Sequence, residues 1–419
     1  MHRREFLKFG LGGSLWFSMP PAAYASNKSL GRVVVVGAGY GGATAAKYLR
    51  MWSRGRIEVI IIEPNANFIS CPVSNLVLGG EKTLDDITFV YDSLRQNHGI
   101  KWIKDKVIAI DPDRAEIRLT KGRLSYDRLI VAPGIDFIYN DFPMLANKEA
   151  QQQIPHAWKA GVQTQNLFNQ LKAMPNGGVF TITIPPLPYR CPPGPYERAC
   201  QVAFYLKNHK PKSKILVLDA NPAITSKRPL FERAWLDLYP DIIEYLPSSE
   251  LQEVDASTKT VKTAFDTVKS DVLNIIPPQR AGELALKSGL ANIDQRWCEV
   301  DFLTYESRVL PNIHVIGDAV DSGLPKSAHM ATSQAKVCAS AIVSLMSGDV
   351  PDPRPVFANT CYSYIDDKKA IHVANVYRYD AADKIMKPAD GGGISDHASI
   401  QEGMEAKFWA LNIWADVLN

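Results

Sequence analysis

Several things are missing from this 419-residue chain, and each absence excludes a class of function. It has six cysteines but no Cys-x-x-Cys pair, and no cysteine–histidine cluster at ligand spacing. That argues against a zinc site, and without Cys-x-x-Cys-His no haem is attached to this chain. There is no strong excess of one charge: 47 Lys and Arg against 44 Asp and Glu leave +3. Nucleic acid is therefore not an expected partner, because binding it needs clustered basic residues along one face. Past the N-terminus no apolar run approaches the about 20 residues a membrane-spanning helix needs. With 46% hydrophobic and 22% charged residues, the composition is that of a soluble globular protein. The length allows two to three domains of roughly 100–200 residues each.

The N-terminus reads as an address. Arg3-Arg4-Glu5-Phe6-Leu7-Lys8 precedes an apolar run from Phe9 to Met19, then Pro20, Pro21 and Ala23-Tyr24-Ala25. A charged region, an apolar region and an A-x-A site in that order predict a cleaved signal peptide over residues 1–25, and the paired arginines predict the twin-arginine type. The expected location is the periplasm, where disulfides persist. Removing Arg3, Arg4, Lys8 and Glu5 with the leader brings the charge to about +1.

The next segment predicts a dinucleotide site. Arg32-Val33-Val34-Val35-Val36 reads as a buried parallel strand, followed at once by Gly37-Ala38-Gly39-Tyr40-Gly41-Gly42 and a helix from Ala43. In this G-x-G-x-x-G pattern Gly37 permits the turn, Gly39 admits a pyrophosphate and Gly42 lets helix and strand pack closely. A second strand, Ile57 to Ile62, ends in Glu63, placed to bind ribose hydroxyls. Tyr126-Asp127-Arg128-Leu129-Ile130-Val131-Ala132-Pro133-Gly134 resembles a segment of FAD-linked disulfide reductases, with Pro133 where those enzymes usually have Thr. Asn312 to Ala319 resembles their later flavin motif, in which the acid, here Asp318, binds the ribityl chain. The cofactor expected is FAD, with Gly134 also in its site. The helix expected near Ala331 to Leu345 would aim a positive dipole end at the flavin.

A second nucleotide-binding-like unit is also expected, but degenerate. Strands Gly178 to Ile184 and Lys214 to Asp219 have the right pattern, the latter ending in an acid. The segment from Pro185 to Cys200 carries six prolines and one glycine and is read as a loop. Prolines remove the N–H donors that a phosphate cradle needs, which speaks against NAD(P)H.

The cysteines are Cys71, Cys191, Cys200, Cys298, Cys338 and Cys361, and their spacing leaves 15 full pairings open. Cys200, Cys298 and Cys338 read as packing residues. Cys71 follows the ribose-binding Glu63; on its pattern alone it reads as a buried strand-end thiol. Cys191 sits in the proline-rich segment, and Cys361 lies after a proline-rich linker at 351–355. These two are open to a structural or a reactive role. Glu197 is either a proton acceptor or the ion-pair partner of Arg198.

Taken together, the paired-arginine leader, the flavin motifs, the Cys71-Pro72-Val73-Ser74 segment, the run from Cys191 to Cys200 and the Cys361 segment resemble the flavoprotein subunits of flavocytochrome c sulfide dehydrogenases. These fall within the sulfide:quinone reductase-like group of the pyridine nucleotide-disulfide oxidoreductases. The resemblance covers nearly all of the chain after the leader. It implies FAD carried covalently on Cys71, a redox disulfide between Cys191 and Cys361, and Glu197 and Trp409 close to it. It also implies oxidation of sulfide to sulfur or polysulfide and a c-type cytochrome subunit as electron acceptor. A sulfide:quinone reductase and an NADH-dependent flavin disulfide reductase are the alternatives.

The fold class expected is α/β: two Rossmann-like, doubly wound three-layer domains plus a C-terminal α+β domain. The divisions are 30–145 and 281–350 for the FAD domain, 146–280 for the degenerate unit and 351–419 for an interface domain. In the last, strands are expected at 361–365 and 369–376, a flexible loop at Gly391-Gly392-Gly393 and a helix near 400–417. Met404, Phe408, Leu411, Ala415 and Leu418, at steps of four, three, four and three, predict the core-facing side of that helix.

Overall fold

Runs of branched apolar residues form the central strands, and the glycine, proline and polar runs between them set the turns. The computed structural model describes residues 28–419, so the leader expected over 1–25 lies outside the described residues. In chain order the elements that position the site are β1 (Gly31–Val36), α1 (Tyr40–Trp52), β2 (Ile57–Ile62), β3 (Lys101–Ile103), β4 (Arg128–Val131), β5 (Val179–Ile184) and α2 (Gly194–His209). They continue with β6 (Lys214–Asp219), α3 (Arg228–Leu238), β7 (Ile243–Leu246), β8 (Val272–Ile275), β9 (Ile313–Val315) and α4 (Ala328–Ser347). The chain closes with β10 (Val356–Tyr364), β11 (Ala370–Asp380), β12 (Ile385–Ile394) and α5 (Ile400–Leu418).

The first sheet has the order β9-β4-β1-β2-β3, with every pair parallel. Val35 of β1 lies between Ile61 and Ile130. Val33, Val34 and Val35 are fully buried, as the central strand of a covered parallel sheet requires. Each such side chain contributes about 1.5–3 kcal/mol of hydrophobic stabilisation. The chain leaves β1 toward β2 on one side and reaches β4 on the other, and a crevice opens at the carboxyl ends where the order reverses. A second parallel sheet, β7-β6-β5-β8, repeats the plan. The third sheet, β10-β11-β12, is antiparallel, and α5 packs on it and on α1. The architecture is the expected α/β fold with a C-terminal α+β unit.

Two expectations about that C-terminal unit are corrected. Gly391-Gly392-Gly393 is not a loop but the end of β12, where Gly393 pairs with Ala374. Glycine supplies the irregular backbone at the register shift there, and Gly391 sits at φ +98°. The helix at 400–418 also turns a different face inward. Met404, Phe408, Leu411 and Ala415 are exposed, and of the expected stripe only Leu418 is buried. The inner face is Gly403, Ala406, Ala410, Ile413, Trp414 and Val417. Small residues win because the helix runs against backbone: a Cβ on Gly403 would overlap the Lys368 carbonyl oxygen. Apolar residues occupy much of this helix's circumference, so period alone fits two faces.

Candidate active site

A cavity of about 930 Å³ runs from the end of β1, past the turns after β2 and β4, to the junction of α2, β10 and α5. At its dinucleotide end Gly37 takes φ +92°, with the Ala132 carbonyl oxygen 2.5 Å from where a Cβ would sit. A Cβ on Gly42 would overlap the Gly37 carbonyl oxygen, so only glycine lets α1 start so close to β1. A Cβ on Gly39 would meet nothing within 4 Å, and one on Gly134 the same. Both positions border open cavity, the space a pyrophosphate backbone fills. Glu63 accepts from the Ala38 N–H at 2.9 Å and from the Asn65 N–H and amide at 2.9 and 2.6 Å. Three of about four carboxylate acceptor sites are thereby used, which leaves capacity for a ribose hydroxyl. The residues present therefore fit FAD.

Cys71 lies in the turn between the short strand Phe68–Ile69 and the helix Asn75–Gly79. Val73, two residues on, holds φ +73°, a left-handed conformation that is an outlier for a β-branched residue. The turn is pinned from below. Ser70 Oγ contacts Tyr40 Oη at 2.6 Å and the Pro72 carbonyl oxygen at 2.8 Å, and accepts from Trp414 Nε1 at 2.9 Å. The C-terminal helix thus fixes the loop that carries Cys71. Arg190 reaches over from the proline-rich segment, hydrogen-bonds the Trp158 carbonyl and faces Cys71, Cys191 and Asp318.

Cys191 is half-buried at the cavity wall with φ +57°, again left-handed, and its N–H donates to the Lys326 carbonyl at 2.7 Å. The proline-rich stretch is shorter than expected. It ends at Pro193, and α2 starts at Gly194, so Glu197 and Cys200 are helical rather than in a loop. Proline is tolerated in a first turn, where its missing N–H has no intrahelical partner. Gly194 is required because a Cβ there would lie 2.9 Å from Cys191 Sγ and 2.8 Å from the Trp158 ring.

Glu197 is buried below the two thiols. One oxygen accepts from the Tyr364 N–H of β10 at 2.9 Å, the other from Asn75 Nδ2 at 2.8 Å. Burial pushes its carboxyl upward, and these two donors partly oppose it. The alternative of an ion pair with Arg198 is not what is found. Arg198 is spent elsewhere, donating to the carbonyls of His156 and Ala157 and to the side-chain oxygens of Asn274 and Asn75. Burial lowers its pKa to about 9.

Cys361, on β10, is half-buried at the same wall, with Asn359 Nδ2 3.6 Å from its sulfur. Cys191 and Cys361 are both free thiols here. Trp409 closes this end, its ring 5.9 Å from Tyr362 and 6.1 Å from His329. Asp318 follows β9 and borders the cavity, with its carboxyl raised by burial and opposed by Arg190 and Lys326. The structure therefore brings Gly37, Gly39, Glu63, Cys71, Gly134, Cys191, Glu197, Asp318, Cys361 and Trp409 to one cavity. Gly42 stands behind it as a packing residue. Cys200, Cys298 and Cys338 are fully buried away from it.

In the second sheet, Asp219 occupies the place of a ribose-binding acid but is sealed. It is fully buried and accepts from Tyr196 Oη at 2.7 Å, Tyr245 Oη at 3.0 Å and the Asn221 amide at 2.7 Å. Its acceptor capacity is consumed by the protein. Asn75, Arg190 and Lys227 escaped the reading of the sequence, and Arg198 was weighed there only as an ion-pair partner of Glu197. The two arginines flank cysteines in one run, a usable signal; Asn75 and Lys227 belong to no motif. Among the described residues there is no group of side chains that could hold a metal and no helix long and apolar enough to cross a membrane.

Residues 164–277 match the family described as the central domain of the sulfide dehydrogenase (flavocytochrome c) flavoprotein chain, and residues 353–418 match the flavocytochrome c sulphide dehydrogenase flavin-binding family. Residues 31–159 match pyridine nucleotide-disulphide oxidoreductases. A sulfide dehydrogenase (flavocytochrome c) flavoprotein chain from Chlorobaculum thiosulfatiphilum is 54% identical over 46 residues, 11% of this chain and 94% of that sequence. The mitochondrial sulfide:quinone oxidoreductase of Mus musculus is 25% identical over 372 residues, 83% of this chain and 78% of that one. Among solved structures, the sulfide:quinone oxidoreductase of Aquifex aeolicus superposes with a TM-score of 0.75 at 18% identity, over 93% of this chain and 91% of that one.

Proposed function

The chain belongs to the flavocytochrome c sulfide dehydrogenase and sulfide:quinone oxidoreductase-like flavoproteins of the pyridine nucleotide-disulphide oxidoreductases, and from that premise we propose that it oxidises sulfide and passes the electrons to a c-type cytochrome. The observation that carries this reading is the meeting of Cys71, Cys191, Cys361 and Glu197 at one end of the flavin cavity. Bound FAD supplies a two-electron sink and releases electrons singly. Gly37, Gly39 and Glu63 hold the dinucleotide, and Cys71 carries it covalently. A disulfide between Cys191 and Cys361 receives hydrosulfide, by the chemistry of thiol–disulfide exchange. Glu197 takes a proton from the incoming sulfur on a carboxylate oxygen, and Trp409 walls the reacting end from water. In the same reading the leader takes the folded chain to the periplasm.

A quinone acceptor is the second reading. It is favoured by the exposed Met404, Phe408 and Leu411 of α5 and by the sulfide:quinone relatives. NADH as donor is disfavoured by the tyrosine-sealed Asp219. The test is an anaerobic titration of the purified flavoprotein. Sulfide, and not NADH, is expected to bleach the oxidised flavin, and Cys191→Ser or Cys361→Ser to abolish the bleaching. Bleaching by NADH alone overturns the reading. Re-oxidation of the bleached protein by cytochrome c but not by a short-chain quinone supports the cytochrome acceptor; the reverse selects the quinone. Covalent attachment predicts flavin that stays with acid-precipitated protein and is lost in Cys71→Ser.

A further inference from the structure

Behind the two thiols stands a buried cation that no motif marked. Lys227 precedes α3 with φ +53° and is only 5% exposed. Its Nζ donates to the Cys361 carbonyl at 3.1 Å and to Ser363 Oγ at 2.7 Å, both on β10. The described residues place no carboxylate in ion-pair contact with it. An ammonium has three protons; two are used by neutral acceptors, and the Nζ otherwise lies 5.6 Å from the Phe231 ring centre, which carries no charge. A desolvated charge held that way feels the Glu197 carboxylate nearby but has no anion in contact to balance it.

The groups around it that can become anionic are Cys361, Glu197, Cys191 and Cys200. Glu197 is already served by Tyr364 and Asn75, and Cys200 receives the Trp235 Nε1–H. Cys191 faces Arg190 of its own loop. Cys361 is left, held by its own carbonyl against the ammonium, with Asn359 beside the sulfur. The two thiols are therefore unequal. Burial raises both, but Lys227 is the largest influence pulling Cys361 back.

We propose that Lys227 is a positioning residue that holds the Cys361 sulfur as an anion once the bond between Cys191 and Cys361 has been opened. The inference rests on the disulfide chemistry proposed above. Hydrosulfide attacks one sulfur, one S–S bond forms and one breaks. The products are a persulfide on one cysteine and a thiolate on the other; the negative charge of HS⁻ moves to the displaced sulfur, and its proton stays on the persulfide until Glu197 takes it. Whichever cysteine takes the added sulfur, Cys361 ends as a thiolate or a persulfide, and the ammonium stabilises the anionic form of either.

The experiment is site-resolved alkylation by iodoacetamide of the thiol-reduced holoprotein across pH, read by peptide mass spectrometry. An opposite charge at close range is worth about one to three pKa units. In Lys227→Met the half-point for Cys361 is expected to rise by at least about one unit, so that its alkylation at neutral pH falls about tenfold. Lys227→Arg is expected to keep the wild-type half-point, and Cys191 to move less than Cys361 in every variant. An unchanged Cys361 half-point in flavin-loaded Lys227→Met overturns the proposal. If that variant fails to fold, Ser363→Ala loosens the ammonium instead, and an unmoved Cys361 half-point there overturns it equally. No sulfide turnover is measured, so failure of this inference and failure of the proposed reaction are separable.

Discussion

Replacing Asn75 by alanine tests the hub that ties three parts of the chain together under the reactive thiols. Asn75 donates to Glu197 at 2.8 Å and to the Gly194 carbonyl at 3.2 Å, and it accepts from Arg198 Nε at 3.1 Å. Two of these bonds involve a buried charged group, each worth about 1.5–3 kcal/mol when a partner is left unsatisfied. Asn75 borders the cavity, so water can replace part of what is lost. The expected cost in Asn75→Ala is therefore about 2–4 kcal/mol rather than the full sum. The assay is urea unfolding of the flavin-loaded protein, followed by circular dichroism. Asn75→Asp separates the two halves of the hub. It keeps the acceptor for Arg198 but sets a second carboxylate against Glu197, and the pH profile of flavin reduction by sulfide should move to higher pH, because a neighbouring negative charge raises the Glu197 pKa further. A loss below about 0.5 kcal/mol in Asn75→Ala, the range of ordinary surface substitutions, would refute the reasoning.

Three other outcomes follow from particular contacts. Gly42→Ala should yield protein without flavin, read from the ratio of flavin to protein absorbance, because the added methyl overlaps the Gly37 carbonyl and forces α1 off β1. Phe408→Ser should leave unfolding stability within about 0.5 kcal/mol, whereas Trp414→Ala should cost about 3–5 kcal/mol, since Trp414 is buried and donates to Ser70 and Tyr40 while Phe408 is 60% exposed; equal losses in thermal unfolding would contradict the observed helix face. Burial lowers Lys227 to about 8 from its ordinary 10.5. Between those values the unfolded chain binds more protons than the native one, so this group makes stability rise with pH across that window. Lys227→Met should flatten that rise in urea midpoints measured from pH 7.5 to 10.5.

Much of the site was legible in the sequence because its parts obey local rules. A strand, a glycine turn and a helix follow one another within residues 31–52, and the reasons for Gly37 and Gly42 are steric and lie within that segment. Glu63 ends the next strand for the same local reason. The start of α2 was misplaced because proline reads equally as a loop residue and as a first-turn helix residue, and only the packing of Gly194 against Cys191 and Trp158 decides. The inward face of α5 was misread because its apolar residues cover more than one side. The choice depended on which side could approach the Lys368 carbonyl.

What the sequence by itself determined is the order of the flavin motifs and the α/β class, since these depend on periods and spacings within short stretches of chain; the roles of Cys71, Cys191 and Cys361 were implied by the family resemblance and not by their spacing. The tertiary structure alone decided that residues 119–167 positions apart share a buried network, as Asn75, Gly194, Glu197 and Tyr364 do. It also decided that Asp219 is closed by tyrosines and that Lys227 lies against Cys361. The physical reason is desolvation. A carboxylate, a thiol or an ammonium has an ordinary chemistry in water, and only the fold fixes which of them loses its water and which neighbour takes the water's place.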